Sequence, residues 1–325
     1  MRKIQVNVDT RRLSFFQPQG LFDHLLMAQS DGVITYDDFS LRLPQQEQEA
    51  DEAAAEAAVD DEAAVEPPTE INADLMLADG EVLGQFRFNN TPKYRGLAFF
   101  TFANKALYDY GSGCAAMLDV ATSQLGLELC ALTQTDIALD VNCNIYPHIM
   151  RFVRDAEHFD MILNGDRVDD ANRTLQGIGE WFARSRKKRE RFPTLYFEHK
   201  RADGLKIRVY DKSKEIEESG KSYIAEHNGF GATKTYRVEI VVKWVQFKQW
   251  QRHICDVDTI VPNDDWKLRT NETLHEHMKR TNALYLGDSD YCLALWSWAA
   301  DHVLYFREKA TNRKVSLFDI VSGTV

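Results

Sequence analysis

Between Thr194 and Glu215, apolar and polar residues alternate on both sides of an Asp203-Gly204 step. Asp-Gly supplies the positive φ angles of a tight turn, so this stretch predicts a β-hairpin. Successive side chains of a strand point to opposite faces. Leu205, Ile207 and Val209 therefore share one face, and Lys206, Arg208, Tyr210 and Lys212 share the other. The same alternation recurs twice. Thr133 to Asp140 sets Asp136, Ala138 and Asp140 against Ile137, Leu139 and Val141, while Tyr236 to Lys243 sets Arg237, Glu239 and Lys243 against an apolar row of Tyr236, Val238, Ile240 and Val242.

The remaining patterns frame these strands. Ile4, Val6 and Val8 alternate as a strand, followed by a short helix around Phe22 to Gln29 and a strand at Gly32 to Tyr36. Gln85 to Phe88 and Leu97 to Phe102 read as strands, and Ser112 to Leu125 as an amphipathic helix. Helices are predicted over 147–165, 169–190, from Lys214 to Ser219 and beyond, 245–254, 272–282 and 290–309, with Trp296, Trp298 and Phe306 as packing residues. The expected class is α+β, a mainly antiparallel sheet with flanking helices. Residues 1–44 form its N-terminal part, 45–70 an insertion, 71–260 the main α+β domain, and 261–325 a helical C-terminal region.

Charge sharpens this division. The net charge of −11 looks unsuited to a nucleic-acid partner, yet ten Asp or Glu and no Lys or Arg fall within 45–70. That alanine-rich segment, closed by Pro67-Pro68, has too little apolar surface to offset its ordering entropy and reads as a disordered insertion. The remainder is close to neutral, so local basic clusters matter more than overall acidity. The strongest cluster is Arg184, Arg186, Lys187, Lys188, Arg189 and Arg191, which on a helix end would follow a phosphate backbone. Lys206, Arg237 and Lys243 extend the basic character across the strands.

The 44% hydrophobic content supports an ordinary core, and no apolar stretch reaches the ~20 residues of a membrane span. Five scattered cysteines without a CxxC pair argue for reduced thiols, with neither a disulfide framework nor a zinc site, and the cytoplasm is the expected compartment. Gly229 to Lys234 lacks the spacing of a phosphate loop. His275-Glu276-His277 sits in a helical pattern where i and i+2 do not face together.

If the three strands pair, Tyr210, Arg208, Lys212 and Glu239 converge on one face with Asp136 or Asp140. The two aspartates are roughly 13 Å apart along the strand, so only one can directly ligate a given ion. A phenol titrating near ~10 is a weak nucleophile at neutral pH and needs a divalent ion and nearby cations to attack a phosphodiester. Oxygen ligands select Mg²⁺ or Mn²⁺. Tyr196, on the first strand of the hairpin, is the second-choice nucleophile.

These three strings also resemble, in order, the motifs of the Rep_trans-type rolling-circle replication initiators of plasmids and phages. Thr133 to Asp140 is similar to their T-R-hydrophobic-D-hydrophobic-A-hydrophobic-D strand, Thr194 to Lys212 to their Y-F-G…R-I-Y-[ND]-K hairpin, and Tyr236 to Ile240 to their R-V-E-I-E strand. Gln134 and Glu198 depart from the pattern, standing where the family has Arg and Gly. The resemblance implies that Tyr210 nicks origin DNA, keeps the 5′ end as a phosphotyrosine and leaves a 3′-OH primer. It further implies single-stranded or cruciform origin DNA, host helicase and polymerase, and a homodimer as partners, in a bacterial host cytoplasm. A relaxase of a mobilisable element, or a non-catalytic DNA-binding protein on the same sheet, are the alternatives.

Overall fold

A computed structural model of the chain describes residues 2–44, 68–169, 194–198, 205–256 and 289–325. Its strands are β1 (Ile4–Phe16), β2 (Val33–Thr35), β3 (Phe39–Arg42), β4 (Glu70–Leu77), β5 (Val82–Asn89), β6 (Leu97–Phe102), β7 (Glu128–Val141), β8 (Phe159–Leu163), β9 (Asp166–Arg167), β10 (Leu195–Glu198), β11 (Lys206–Asp211), β12 (Tyr236–Lys243), β13 (Leu304–Glu308) and β14 (Lys314–Ser316). Its helices are α1 (Leu21–Met27), α2 (Asn104–Tyr110), α3 (Gly113–Gln124), α4 (Tyr146–Arg154), α5 (Lys212–Ser219), α6 (Ser222–Asn228), α7 (Trp244–Asp256), α8 (Ser289–Val303) and α9 (Leu317–Ser322). Ten strands form one sheet in the order β10-β11-β12-β7-β1-β6-β5-β4-β3-β2, and a smaller sheet runs β14-β13-β8-β9. The fold is α+β, as the alternating strand patterns predict.

The chain divides into two compact units, one made of Met1–Arg11, Leu107–Ala115 and Leu132–Val325, the other of Arg12–Ala106 and Ala116–Ala131. The second unit has an aromatic core. Phe86 lies 4.6 Å from Phe100 and 5.3 Å from Phe88 between ring centroids, and Phe15 meets Phe86 edge-on. Gly84 makes room for this cluster, because a Cβ there would come within 2.4 Å of the Phe100 ring and 2.5 Å of the Thr101 carbonyl. Glycine in a strand often marks such a close approach.

In the first unit the apolar rows read from the sequence are buried together. Ile137, Leu139, Val141, Ile207, Val209, Val238, Ile240 and Val242 are all nearly inaccessible to solvent. Helices α7 and α8 cover β12, and the indole of Trp296 donates to the Val238 carbonyl at 3.2 Å. The strand pairings are antiparallel and in a register that matters for the site: Arg208 faces Glu239 and Tyr210 faces Arg237 between β11 and β12, while Glu239 faces Ala138 and Arg237 faces Asp140 between β12 and β7.

Three helical expectations need correction. The helix predicted over 147–165 stops at Arg154, where the Asp155 carboxylate accepts from the His158 amide and the chain turns into β8. The helix predicted to Lys309 stops at Val303, because Leu304 and Phe306 alternate with Tyr305 and Arg307 and pair with β8 as a strand. The C-terminal part is therefore mixed, with β13, β14 and α9 rather than helix alone. α9 begins with a reciprocal cap, the Ser316 hydroxyl accepting from the Asp319 amide and the Asp319 carboxylate accepting from the Ser316 amide. Trp296 and Phe306 are core residues as expected, the latter from a strand.

Residues 45–67 of the acidic segment lie outside the described residues, and Glu70, placed within the insertion by the sequence pattern, opens β4. Arg184, Arg186, Lys187, Lys188, Arg189, Arg191 and the His275-Glu276-His277 string also lie outside them. Among the described residues no helix is long and apolar enough to cross a membrane. The cysteines at 114, 130, 143 and 292 are free thiols.

Candidate active site

The polar face of β11, β12, β7 and the N-terminal half of β1 carries two linked clusters. The first surrounds Glu239, which is almost fully buried. The Tyr210 hydroxyl donates to Glu239 Oε2 at 2.8 Å, and Arg208 Nη2 donates to Glu239 Oε1. The same guanidinium nitrogen lies 3.7 Å from Asp136 Oδ2, and Gln134 Nε2 donates to Asp136 Oδ1 at 2.8 Å. Asp136, Glu239, Arg208 and Tyr210 are thus brought together.

Burial of its carboxyl group, with Glu239 and Asp9 nearby, raises the Asp136 pKa to about 6, although Gln134 and Arg208 favour the charged form. The Tyr210 hydroxyl is pushed far above the ordinary phenol value, first by burial and then by the negative charges of Glu239, Asp9 and Glu215, against the opposing pull of Arg237. In this arrangement Tyr210 is a protonated donor held against a carboxylate.

Lys212 is the first residue of α5, directly after the Asp211 cap whose side chain accepts from the Ser213 amide. Its stem is buried, its ammonium donates to Glu215 Oε1 at 2.6 Å, and it sits 5.7 Å from the centre of the Tyr210 ring. Burial, followed by the neighbouring Arg237 charge, lowers its pKa. The cation expected beside Tyr210 is therefore present, enclosed rather than solvated.

The second cluster corrects two expectations. Arg237, read as a DNA contact, is completely enclosed: Nε and Nη2 donate to Asp140 at 2.6 and 2.7 Å, Nη1 to Asp9, and Nη2 also to the Tyr108 hydroxyl at 2.7 Å. A guanidinium with these partners cannot reach a backbone phosphate, and it acts instead as the buried tie of the sheet. Asp140, read as a metal candidate, is equally enclosed and accepts from Arg237, from Asn7 Nδ2 at 2.7 Å and from Asn228 Nδ2 at 2.9 Å. Its oxygens are occupied by donors, so of the two aspartates Asp136 is the one left to ligate an ion. Lys206 and Lys243 are half-buried at opposite ends of their strands.

Tyr196 faces Arg208 across β10 and β11 and is 46% exposed, which puts a second, more accessible phenol on this face. Sequence reasoning missed Asn7, Asp9, Tyr108 and Asn228. The signal for the first two was present, because the Ile4, Val6, Val8 alternation already sends Asn7, Asp9 and Arg11 to the opposite face. Asp9 meets the Arg237 guanidinium, lies 3.9 Å from the Lys212 ammonium and accepts from Tyr108 at 3.2 Å. Tyr108 and Asn228 carry no such signal, since α2 and α6 bring them in from distant sequence.

The donor chemistry admits a hard cation in a limited way. Among the described residues no three His, Cys, Asp or Glu side chains form a metal-binding group. Mg²⁺, however, keeps several waters and commonly uses one or two carboxylates plus phosphate oxygens. Asp136 and Glu239, which converge on one Arg208 nitrogen, supply such a pair, with the guanidinium serving as the counter-charge that an ion would replace.

No protein-family profile, curated protein or solved structure matches this chain.

Proposed function

We propose that the chain is a tyrosine-dependent DNA nicking and joining enzyme that initiates rolling-circle replication. The observation that carries the reading is the hydrogen bond from the Tyr210 hydroxyl to Glu239, whose other oxygen is held by Arg208. A nucleophile within hydrogen-bond reach of a base, the base in turn oriented by a third group, is the arrangement that nucleophilic catalysis requires. The motif strings that resemble Rep_trans initiators converge on the same residues.

In the proposed step Tyr210 Oη passes its proton to Glu239 and forms a bond to phosphorus. The phosphorus–O3′ bond breaks, the O3′ atom takes a proton from solvent, and the 5′ strand remains as a phosphodiester of Tyr210. Attack by a 3′-OH reverses these changes and rejoins the strand. Arg208 turns from the carboxylates toward the phosphate oxygens, where a cation stabilises the charge developing in the transition state. Mg²⁺ or Mn²⁺ held by Asp136 and Glu239 would supply further neutralisation of that charge. Lys212 keeps positive potential beside the phenol and Asp9 holds Lys212 and Arg237 in place.

Labelled single strands tiled across the replicon that encodes the chain, incubated with Mn²⁺, test this reading. Nicking leaves a covalent adduct, and mass spectrometry identifies the linked residue as Tyr210. Tyr210→Phe should abolish the adduct and retain DNA binding. An adduct on Tyr196 would move the nucleophile to the exposed edge strand. Binding without any adduct from the whole tiled set would favour the non-catalytic DNA-binding reading, in which Arg208 is the permanent partner of both carboxylates.

A further inference from the structure

We propose that the cavity beside the Asp140-Arg237 tie is a binding pocket for a single unstacked guanine base of the DNA strand. This rests on the single-strand DNA reading above and gives it a base-specific contact. The cavity measures about 160 Å³ and is lined by residues of β1, by Leu107, Tyr108 and Gly111 around α2, and by His227 and Cys292. That is far more than the about 10–15 Å³ one water requires, and below the about 300–1,000 Å³ of sites that take drug-sized ligands. A lone ring system fits that range better than a whole nucleotide.

Its walls carry recognition chemistry. Asn7 is 5% exposed, lines the cavity, and its Oδ1 has no hydrogen-bond partner. The amide cannot be turned round to remove this orphan. Its Nδ2 donates to both Asp140 Oδ2 and Asn228 Oδ1, and an oxygen placed there would face a carboxylate acceptor. A buried acceptor without a donor is unfavourable by about 1–3 kcal/mol, so the pocket selects an occupant that brings an N–H group. Arg11, 1% exposed, lines the same cavity with a cation.

Guanine brings N1–H and N2–H₂ donors on one edge and O6 and N7 acceptors on the other, and an arginine-guanine pair is the commonest specific base contact. Tyr108 and the exposed His227, whose rings meet edge-on at 5.2 Å, supply aromatic surface, and His227 forms the open rim. Tyr108 also donates to Asp9 and accepts from Arg237, so an occupied pocket touches the network that supports Tyr210 and Lys212. Enzymes that act on single strands commonly read unstacked bases in this manner, by edge hydrogen bonds and aromatic contact.

Saturation-transfer NMR and equilibrium dialysis of the full-length wild-type protein with deoxyguanosine, deoxyadenosine, deoxycytidine and thymidine separately test the pocket. Saturable binding of deoxyguanosine at least tenfold tighter than thymidine is expected, lost in Leu107→Trp, which fills the cavity, and weakened in His227→Ala, whose rim position leaves folding unaffected. Equal binding of all four nucleosides, no saturable binding, or deoxyguanosine affinity unchanged in His227→Ala would overturn the proposal and leave a water-filled cavity. Nucleoside binding requires no cleavage. A protein that binds deoxyguanosine yet forms no phosphotyrosyl adduct keeps the pocket and loses the nicking reading, and one that forms the adduct without binding the nucleoside does the reverse.

Discussion

Replacing Asp136 with asparagine isolates the electrostatic strain stored at the site. Asp136 is 5% exposed, and burial, with Glu239 and Asp9 nearby, raises its pKa from the ordinary 3.8 to about 6. Folded protein therefore holds this proton more tightly than unfolded chain. The stability that follows is fully present below about pH 4 and is lost as pH rises through about 6. At 1.36 kcal/mol per unit, a rise from 3.8 to about 6 corresponds to about 3 kcal/mol. The Asp136→Asn variant keeps an oxygen to accept from Gln134 and carries no charge at this position, so its stability lacks this decline. Urea denaturation of both proteins in EDTA, from pH 4 to 8, measures the difference at each pH. The variant should gain on wild type by about 3 kcal/mol between the two ends, with most of the change centred between pH 4 and 6. A difference that stays flat across the range would show that Asp136 titrates normally in the folded protein, and the strained carboxylate pair would have to be abandoned. Adding Mn²⁺ at pH 8 should narrow the gap by stabilising wild type alone, since a ligand that binds only the native state stabilises it by mass action.

Other perturbations read different parts of the structure. Glu239→Gln removes the proton acceptor of Tyr210 and should lower the nicking rate by about 10²–10⁴, the usual contribution of general base catalysis, while DNA affinity measured by fluorescence anisotropy changes little. Asp140→Ala leaves the Arg237 charge buried without its main partner and should cost about 3–5 kcal/mol in chemical denaturation; a loss under about 1 kcal/mol would mean the tie is solvated. Gly84→Ala forces a methyl group against the Phe100 ring and the Thr101 carbonyl, and overpacking of this kind should destabilise by about 1–3 kcal/mol, read as a lower urea midpoint with an unchanged slope.

The period-two patterns of residues 133–140, 205–212 and 236–243 determined three strands, their apolar rows and the side on which Asp136, Arg208, Tyr210 and Glu239 lie. Those features follow from geometry local to each strand, since alternate side chains must share a face whatever the partner strand. The Asp-Gly step likewise joined β10 to β11, which are antiparallel neighbours. The pattern failed where a segment was short and strongly apolar: Leu304 to Glu308 continues the hydrophobic run of α8, and only pairing with β8 makes it a strand. Local sequence cannot separate those two outcomes for so short a run.

Tertiary structure decided which polar residues remain available. From sequence, Arg237 and Glu239 are equivalent members of one polar row, as are Asp136 and Asp140. Register then sets Arg237 opposite both Tyr210 and Asp140, and Asn7, Asp9, Tyr108 and Asn228, arriving from β1, α2 and α6, enclose that row. The row one step along keeps Glu239 opposite Arg208, with Tyr210 reaching it by its hydroxyl. A buried charge must find its counter-charges or lose its ionisation, and for Arg237 those counter-charges, Asp9 and Asp140, come from strands far away in the chain. The strand pattern therefore determined the candidate chemistry on a face, and long-range packing divided that face into a structural tie around Arg237 and a candidate active site around Tyr210.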